Sequence, residues 1–363
     1  MAQIKSLNAH DRPPDVIRDC YKKYQRLPLT EIDGDPDIVN LQDLDPDDLP
    51  ESISLVGWMS SKELLPAFDR FVEHEDSSPL QHAGDLIDNI PIFTHRCVSG
   101  LRLIPSLFPP AIQAELLSRL FHRDLSNPNH KTNVHLHYNV SYPVRPNTTD
   151  MGRCGTLNGL HSTGRQASFF EDDPARVLSP KNPKVHKPIT VQNLLDKKLR
   201  WITLGGQYDW TAKQYPAGPP PPFPKDIARL LRAAFPETEA QAAIVNVYTA
   251  GDTLSVHRDV SEECDIGLIS VSFGCDGLFL VGHDNADGCE VIRLRSGDAV
   301  YMTGRSRFAW HGVPKVLPST CPIWLKDWPA YQGGGAQYQH WRGWMSSKRI
   351  NLNVRQMTGS DNC

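Results

Sequence analysis

The alternation of apolar and polar positions changes period along the chain, and the change falls near residue 241. Beyond it, short apolar runs bounded by turn residues predict strands at 243–249, 254–257, 268–273, 278–281, 291–294, 299–302 and 350–356. Several alternate with period two, as a two-sheet jelly roll requires, because each strand then turns one face to the core and one away. Ahead of residue 241 the period is helical in three places. Residues 14–26 carry Val16, Ile17, Tyr21 and Tyr24; residues 111–121 follow Pro109 and Pro110; residues 225–235 follow the proline-rich run 219–224. The expected fold class is α+β, mainly β: a jelly roll flanked by N-terminal helices.

Composition narrows the class. The chain has 363 residues, 39% hydrophobic and 22% charged, with a net charge of -4. No apolar run is long enough for a transmembrane helix, and the first ten residues lack the apolar stretch of a secretory signal. The expectation is an intracellular protein of the nucleus or cytoplasm, with the mitochondrion left open. Eight cysteines without a Cys-x-x-Cys pair predict reduced thiols. Charge is unevenly spread. Residues 27–61 hold nine acids and no Lys or Arg, which reads as a loop-rich or disordered segment. Residues 145–200 hold ten Lys/Arg against five acids, a stretch able to track phosphates or simply to face solvent.

Four short pieces near the C-terminal end fit one another: Asn246-Val247-Tyr248, His257-Arg258-Asp259, His311, and the run from Arg349 to Arg355. On a strand, positions i and i+2 share a side, so His257 and Asp259 can reach one metal while Arg258 points away. His311 supplies a distant third donor. Two imidazoles and a carboxylate form the facial triad that holds octahedral iron(II) with positions left open, whereas a closed tetrahedral zinc site wants a fourth ligand, usually a thiolate. Residues 349, 351, 353 and 355 likewise share a face, which aligns two guanidiniums and two amides. Guanidinium forks bind carboxylates bidentately. The face therefore suits a small dicarboxylic acid whose 2-keto acid end chelates iron; standing alone, the segment would read as an edge strand with solvated arginines.

The order Asn-x-Tyr, His-x-Asp, His, Arg-x-Asn-x-x-x-Arg resembles the AlkB family of iron(II)/2-oxoglutarate dioxygenases. The intervening runs agree: Ser270-Val271-Ser272-Phe273-Gly274, Leu278-Phe279-Leu280 and Ser296-Gly297-Asp298-Ala299-Val300. Tyr208-Asp209-Trp210-Thr211, followed by Pro222-Phe223-Pro224, is most similar to the eukaryotic homologue-1 branch. The resemblance is specific over residues 200–357 and thinner over 90–200. It implies a double-stranded β-helix with iron(II) held by His257, Asp259 and His311, and 2-oxoglutarate and O2 as cosubstrates. Arg349 would pair with the distal carboxylate of 2-oxoglutarate, aided by Asn246, Tyr248 and Asn351, and Arg355 would lie by the metal-end carboxylate and Asp259. Tyr208, Asp209 and Trp210 would belong to a base-recognition lid, and Arg258 would either touch nucleic acid or face solvent. The implied reaction is oxidative demethylation of N-methylated bases in nucleic acid, N6-methyladenine in DNA or 1-methyladenine in tRNA, with release of formaldehyde and succinate. One position departs: bacterial-type repair members carry Asp two residues after the ligand Asp, facing a cationic base, and here Ser261 stands there. The expected organisation is an N-terminal extension (1–90), a helical and basic nucleotide-recognition region (91–240), a catalytic core (241–357) with an aromatic insert at 317–347, and a tail (358–363).

Other classes were weighed against this reading. His257-Arg258-Asp259 spells the kinase catalytic-loop triplet, but Cys264 stands where a kinase needs Asn, and no Asp-Phe-Gly follows. A protein hydroxylase or demethylase acting on histone-like tails would use the same iron centre. Cys264, Cys275, His283 and Cys289 match no standard zinc spacing. The aromatics of the insert, Trp324, Trp328, Tyr331, Tyr338, Trp341 and Trp344, suit covering a barrel end better than stacking a flipped base.

Overall fold

The computed structural model describes residues 7–72, 89–143, 167–210, 212–330 and 335–359. In chain order the elements are α1 (Asp15–Arg26), α2 (Leu29–Ile32), β1 (Ile38–Asn40), β2 (Ile53–Ser60), α3 (Ser61–Val72), β3 (Asn89–His95), β4 (Val98–Ile104) and α4 (Pro110–Ser118), which runs into a wider turn at Arg119–Asp124. There follow β5 (Val177–Leu178), β6 (Ile189–Thr190), α5 (Val191–Asn193), β7 (Trp201–Gly205) and α6 (Lys225–Ala234). The remaining strands are β8 (Ala242–Thr249), β9 (Leu254–His257), β10 (Leu268–Gly274), β11 (Gly277–Gly282), β12 (Cys289–Leu294), β13 (Ala299–Met302), β14 (His311–Val316) and β15 (Lys348–Arg355).

Thirteen of these strands form the two sheets of a jelly roll, and β5 and β6 pair apart from them. One has eight strands in the order β2-β3-β4-β13-β10-β15-β8-β7, the other five in the order β1-β12-β11-β14-β9. Phe279, Val281, Ile292 and Leu294 of the smaller sheet share one buried cluster with Leu103, Leu268, Val300 and Met302 of the larger. Strand β10 is buried along its whole length, as expected of a central strand covered on both faces. The expected regions share these sheets: β1 to β4 and β7, all ahead of residue 241, extend the core ladders through β1–β12, β4–β13 and β7–β8 pairing.

The helices bury one stripe each. In α6 that stripe is Ile227, Leu230, Leu231 and Ala234; in α1 it is Ile17, Tyr21 and Tyr24, packed with Leu278, Leu280 and Trp310 of the smaller sheet, while Val16 turns to solvent. Helix α4 is α-helical only to Ser118, then widens.

Two expectations are corrected. The acidic segment 27–61 is structured, because apolar residues interleave its acids: Ile32, Leu41 and Ile53 are buried, β1 pairs with β12, and Asp33 meets Arg293 at 2.5 Å. The cysteines are not all reduced. Helix α1 crosses the smaller sheet and brings Cys20 to Cys289, to which it is joined by a disulfide. No sequence spacing could signal a pair 269 positions apart. The insert tryptophans act as cover, as expected: Trp328, Trp341 and Trp344 are buried with Phe121 and Phe170, and the indole N–H of Trp341 donates to the Phe170 carbonyl and that of Trp344 to the Leu195 carbonyl. Trp324 alone of these four is exposed. Tyr331, Thr211 and most of the basic stretch between 145 and 166 lie outside the described residues.

Candidate metal and cosubstrate site

The site forms between the sheets where β9, β14, β15 and β8 approach. His257 ends β9 and His311 opens β14, and the antiparallel register sets them directly opposite, ring centroids 4.4 Å apart. Asp259 follows β9 by two residues. The His257 Nδ1–H donates to the Ser255 carbonyl at 2.9 Å and the His311 Nδ1–H to the Ala309 carbonyl at 3.0 Å. A carbonyl only accepts, so both Nδ1 atoms carry the proton and both Nε2 lone pairs are free. Both face Asp259: His257 Nε2 lies 3.8 Å from Oδ1 and His311 Nε2 3.8 Å from Oδ2. Among the described residues this is the one group of three or more His, Cys, Asp or Glu whose ligand atoms lie within 4.8 Å of one another.

Electrostatics favour the protonation states a cation needs. Burial pushes the Asp259 carboxyl up, but Arg355, with His257, His311 and Arg307 behind it, outweighs burial and holds it well below the usual carboxylate range. The Arg355 Nη2–H donates to Asp259 Oδ2 at 2.7 Å. Burial, reinforced by His257, lowers His311 to about 4, so its imidazole stays neutral.

Beside this group, β15 and β8 form the second half of the site. Their register places Arg349 opposite Tyr248 and Asn351 opposite Asn246. Arg349 is 1% exposed, and one of its nitrogens donates to Ser272 Oγ at 2.9 Å. Among the described residues its Nε and Nη1 have no partner, nor does the buried Tyr248 hydroxyl, whose pKa burial raises to about 12. Buried donors without acceptors are costly, a guanidinium most of all. These fit an anion with carboxylate geometry that reaches Arg349 from the cavity lined by Tyr248, Ser270, His311, Asn351 and Asn353. The donor set on the other side, two imidazoles with Nε2 turned inward and one carboxylate, fits a divalent iron with open positions.

Of the remaining expected residues, Tyr208 is linked to the site through Tyr215, which accepts from Arg355. Tyr208 meets Trp210 at 4.9 Å and Tyr215 at 5.3 Å between ring centroids, and Trp210 packs on Trp201. The Asp209 carboxylate caps its own turn by accepting from the Ala212 N–H. Arg258 points neither to the metal group nor freely into solvent: it pairs with Asp11 at 2.6 Å and lies over the Trp310 ring at 4.3 Å. Ser261 donates to the Lys213 carbonyl. An open groove of about 950 Å³ runs past Tyr215, Phe223, Ser261, Glu263 and Met357. Sequence reasoning missed Tyr215, Glu262 and Arg307, of which Glu262 bonds the other two; none lies on a strand, so no strand period marks them.

Comparison with known proteins agrees with this geometry. The 2OG-Fe(II) oxygenase superfamily matches over residues 171–355. A protein of Pyricularia oryzae named N6-methyladenosine RNA demethylase ALKB1 is 43% identical over 98% of both chains. A Cryphonectria parasitica protein, N6-methyladenosine RNA demethylase ALKBH, is 50% identical over 62% of this chain and 99% of its own. The tRNA demethylase abh1 of Schizosaccharomyces pombe is 36% identical over 74% of this chain and 82% of its own. Residue order, site geometry and these matches agree: the chain belongs to the 2OG-Fe(II) oxygenase superfamily and, within it, to the AlkB family.

Proposed function

We propose that this chain is an iron(II)/2-oxoglutarate-dependent dioxygenase that demethylates N-methylated adenine in nucleic acid, with residues 241–357 as its catalytic core. The observation that carries the chemistry is the pairing of a convergent His257–Asp259–His311 group with the unpartnered donors of Arg349 and Tyr248 in one cavity. Nucleic acid as substrate rests on the relatives' names and on the aromatic mouth formed by Tyr208, Trp210 and Tyr215.

In this reading His257, Asp259 and His311 hold the metal, each Nδ1–H anchored on a backbone carbonyl so that Nε2 points inward. Arg349, with Tyr248, Asn246 and Asn351 around it, grips the distal carboxylate of 2-oxoglutarate. Arg355 keeps Asp259 ionised and oriented. Once bound, iron and 2-oxoglutarate supply the oxygen chemistry that hydroxylates the N-methyl carbon, which is then lost as formaldehyde while succinate is released. The Tyr208–Trp210 edge holds an unpaired base over the cavity, which the chemistry needs because a base inside a duplex is out of reach. Ser261 offers no carboxylate to a cationic base, so neutral N6-methyladenine is the better fit.

Replacing His257 or Asp259 by Ala should abolish turnover, with the thermal melt kept in His257→Ala and lowered in Asp259→Ala, which leaves Arg355 without its carboxylate; activity retained in both variants would remove the metal assignment. The substrate test incubates the protein, iron(II) and 2-oxoglutarate with three oligonucleotides, N6-methyladenine in RNA, N6-methyladenine in DNA and a tRNA stem-loop with 1-methyladenine, and weighs each by mass spectrometry. A 2-oxoglutarate-dependent loss of the methyl mass is expected. If succinate accumulates while all three stay intact, nucleic acid is the wrong substrate class.

A further inference from the structure

Behind Asp259 a ring of buried charges closes on its backbone carbonyl, and two of its members, Glu262 and Arg307, are not used by the proposed chemistry. Arg307 and Glu262 have side chains 1% and 2% exposed and meet at 2.8 Å. Every nitrogen of the Arg307 guanidinium is engaged: Nη2 on Glu262, Nη1 on the Asp259 carbonyl at 2.8 Å and Nε on the Ile266 carbonyl at 3.0 Å. One side chain therefore grips the start, middle and end of the loop from Asp259 to Ile266. Arg307 itself sits in the short turn Ser306–Phe308, just ahead of His311. On the far side, Glu262 Oε1 accepts from the Tyr215 hydroxyl at 3.3 Å and lies 3.5 Å from Arg355 Nε, while Arg355 donates to both Tyr215 and Asp259. Two cations and two anions alternate around this ring.

A buried ion pair is weak evidence for stability, since desolvation offsets most of its attraction, and apolar residues of similar volume often do as well. Orientation is what such a pair does better than apolar packing. Resting on the iron reading above, we propose that Glu262, Arg307 and Tyr215 are positioning residues that fix the Asp259 carboxylate against His257 and His311 and tie it to the aromatic mouth. Arg307 couples the loop of one ligand to the turn that delivers another. Glu262 holds Arg355 in register with Asp259, and Tyr215, in ring contact with Tyr208, joins this frame to the base side of the site.

Cobalt(II), a spectroscopic substitute for iron(II), tests this without turnover. The full-length wild type, Glu262→Gln and Tyr215→Phe are titrated with cobalt(II) and read by d–d absorption, with metal-free melts alongside. Glu262→Gln keeps shape but loses charge; Tyr215→Phe removes only the bridging hydroxyl. Binding should weaken by about tenfold in the first and about threefold in the second, with altered band intensity, as expected for ligand-supporting groups, and without metal Tyr215→Phe should melt near wild type while Glu262→Gln, which leaves the buried Arg307 charge without its partner, melts lower. Binding within twofold of wild type, with unchanged bands, in the folded variants overturns the proposal; should Glu262→Gln fail to fold, Tyr215→Phe decides alone. A wild type that binds no cobalt refutes the underlying metal reading instead.

Discussion

Gly277 shows how much of the site depends on a single atom. A Cβ at this position would fall 2.4 Å from Arg349 Nε and 2.7 Å from its Cδ. Arg349 is buried and confined, so its guanidinium would have to leave the place from which it faces the cavity. Gly277→Ala should therefore raise the KM for 2-oxoglutarate by about tenfold or more, the loss expected when one charge-assisted hydrogen bond is misplaced, while kcat at saturation falls less. An unchanged KM would mean that Arg349 does not hold the cosubstrate. The strand faces around it were legible beforehand. Arg349, Asn351, Asn353 and Arg355 share a side because a strand repeats every two residues, and Tyr248 and Asn246 stand opposite two of them. What could not be read was which donors would lack partners, because Ser270 and Ser272 of β10 satisfy some of them and belong to a distant run.

At the scale of elements, the wide turn after α4 sets a pH response. His122 lies there, 2.8 Å from Ser168 Oγ by its Nδ1 and stacked on Tyr338 of the insert at 4.8 Å. Burial holds its pKa down at about 4, against an ordinary value of 6.5. The folded state thus keeps the ring neutral. Its contribution is complete above pH 6.5 and is lost as pH falls through 4, at most about 3 kcal/mol over that window. Thermal melts between pH 7.5 and 4 should show a smaller acid loss in His122→Asn than in wild type; parallel curves would show that the ring is not buried in its neutral form. The α4 helix itself was predicted from its apolar period, but its widening beyond Ser118 was not. That widening accompanies the packing of Phe121 against Trp328 and Trp344, residues of another part of the chain.

At the scale of the whole molecule, the N-terminal helix is tied to the smaller sheet by side chains and not by a strand ladder. Helix α1 is held to the smaller sheet by Ile17, Tyr21 and Tyr24, by Asp11 on Arg258 just ahead of it, and by the Cys20–Cys289 disulfide. Alkylation of the denatured, unreduced protein should leave Cys20 and Cys289 unlabelled while Cys97, Cys264, Cys275 and Cys321 react. Reduction, or Cys20→Ser, should then speed hydrogen exchange in α1 while β10, paired on both edges, stays protected. Labelling of both residues without reductant would remove the link. Among the described residues no helix is long and apolar enough to cross a membrane.

By itself the sequence determined whatever repeats locally: seven of the eight strands beyond residue 241, β14 being the one it did not give, the amphipathic helices, the shared side of His257 and Asp259, and the arginine face of β15. Backbone period alone places those side chains. Tertiary structure decided everything that depends on which distant residue arrives: His311 opposite His257, the ring of Glu262, Arg307 and Tyr215, the ordered acidic segment pairing with β12, and the burial of the insert tryptophans. In each of these cases burial and partner choice set the outcome, and both are properties of the packed chain rather than of any window along it.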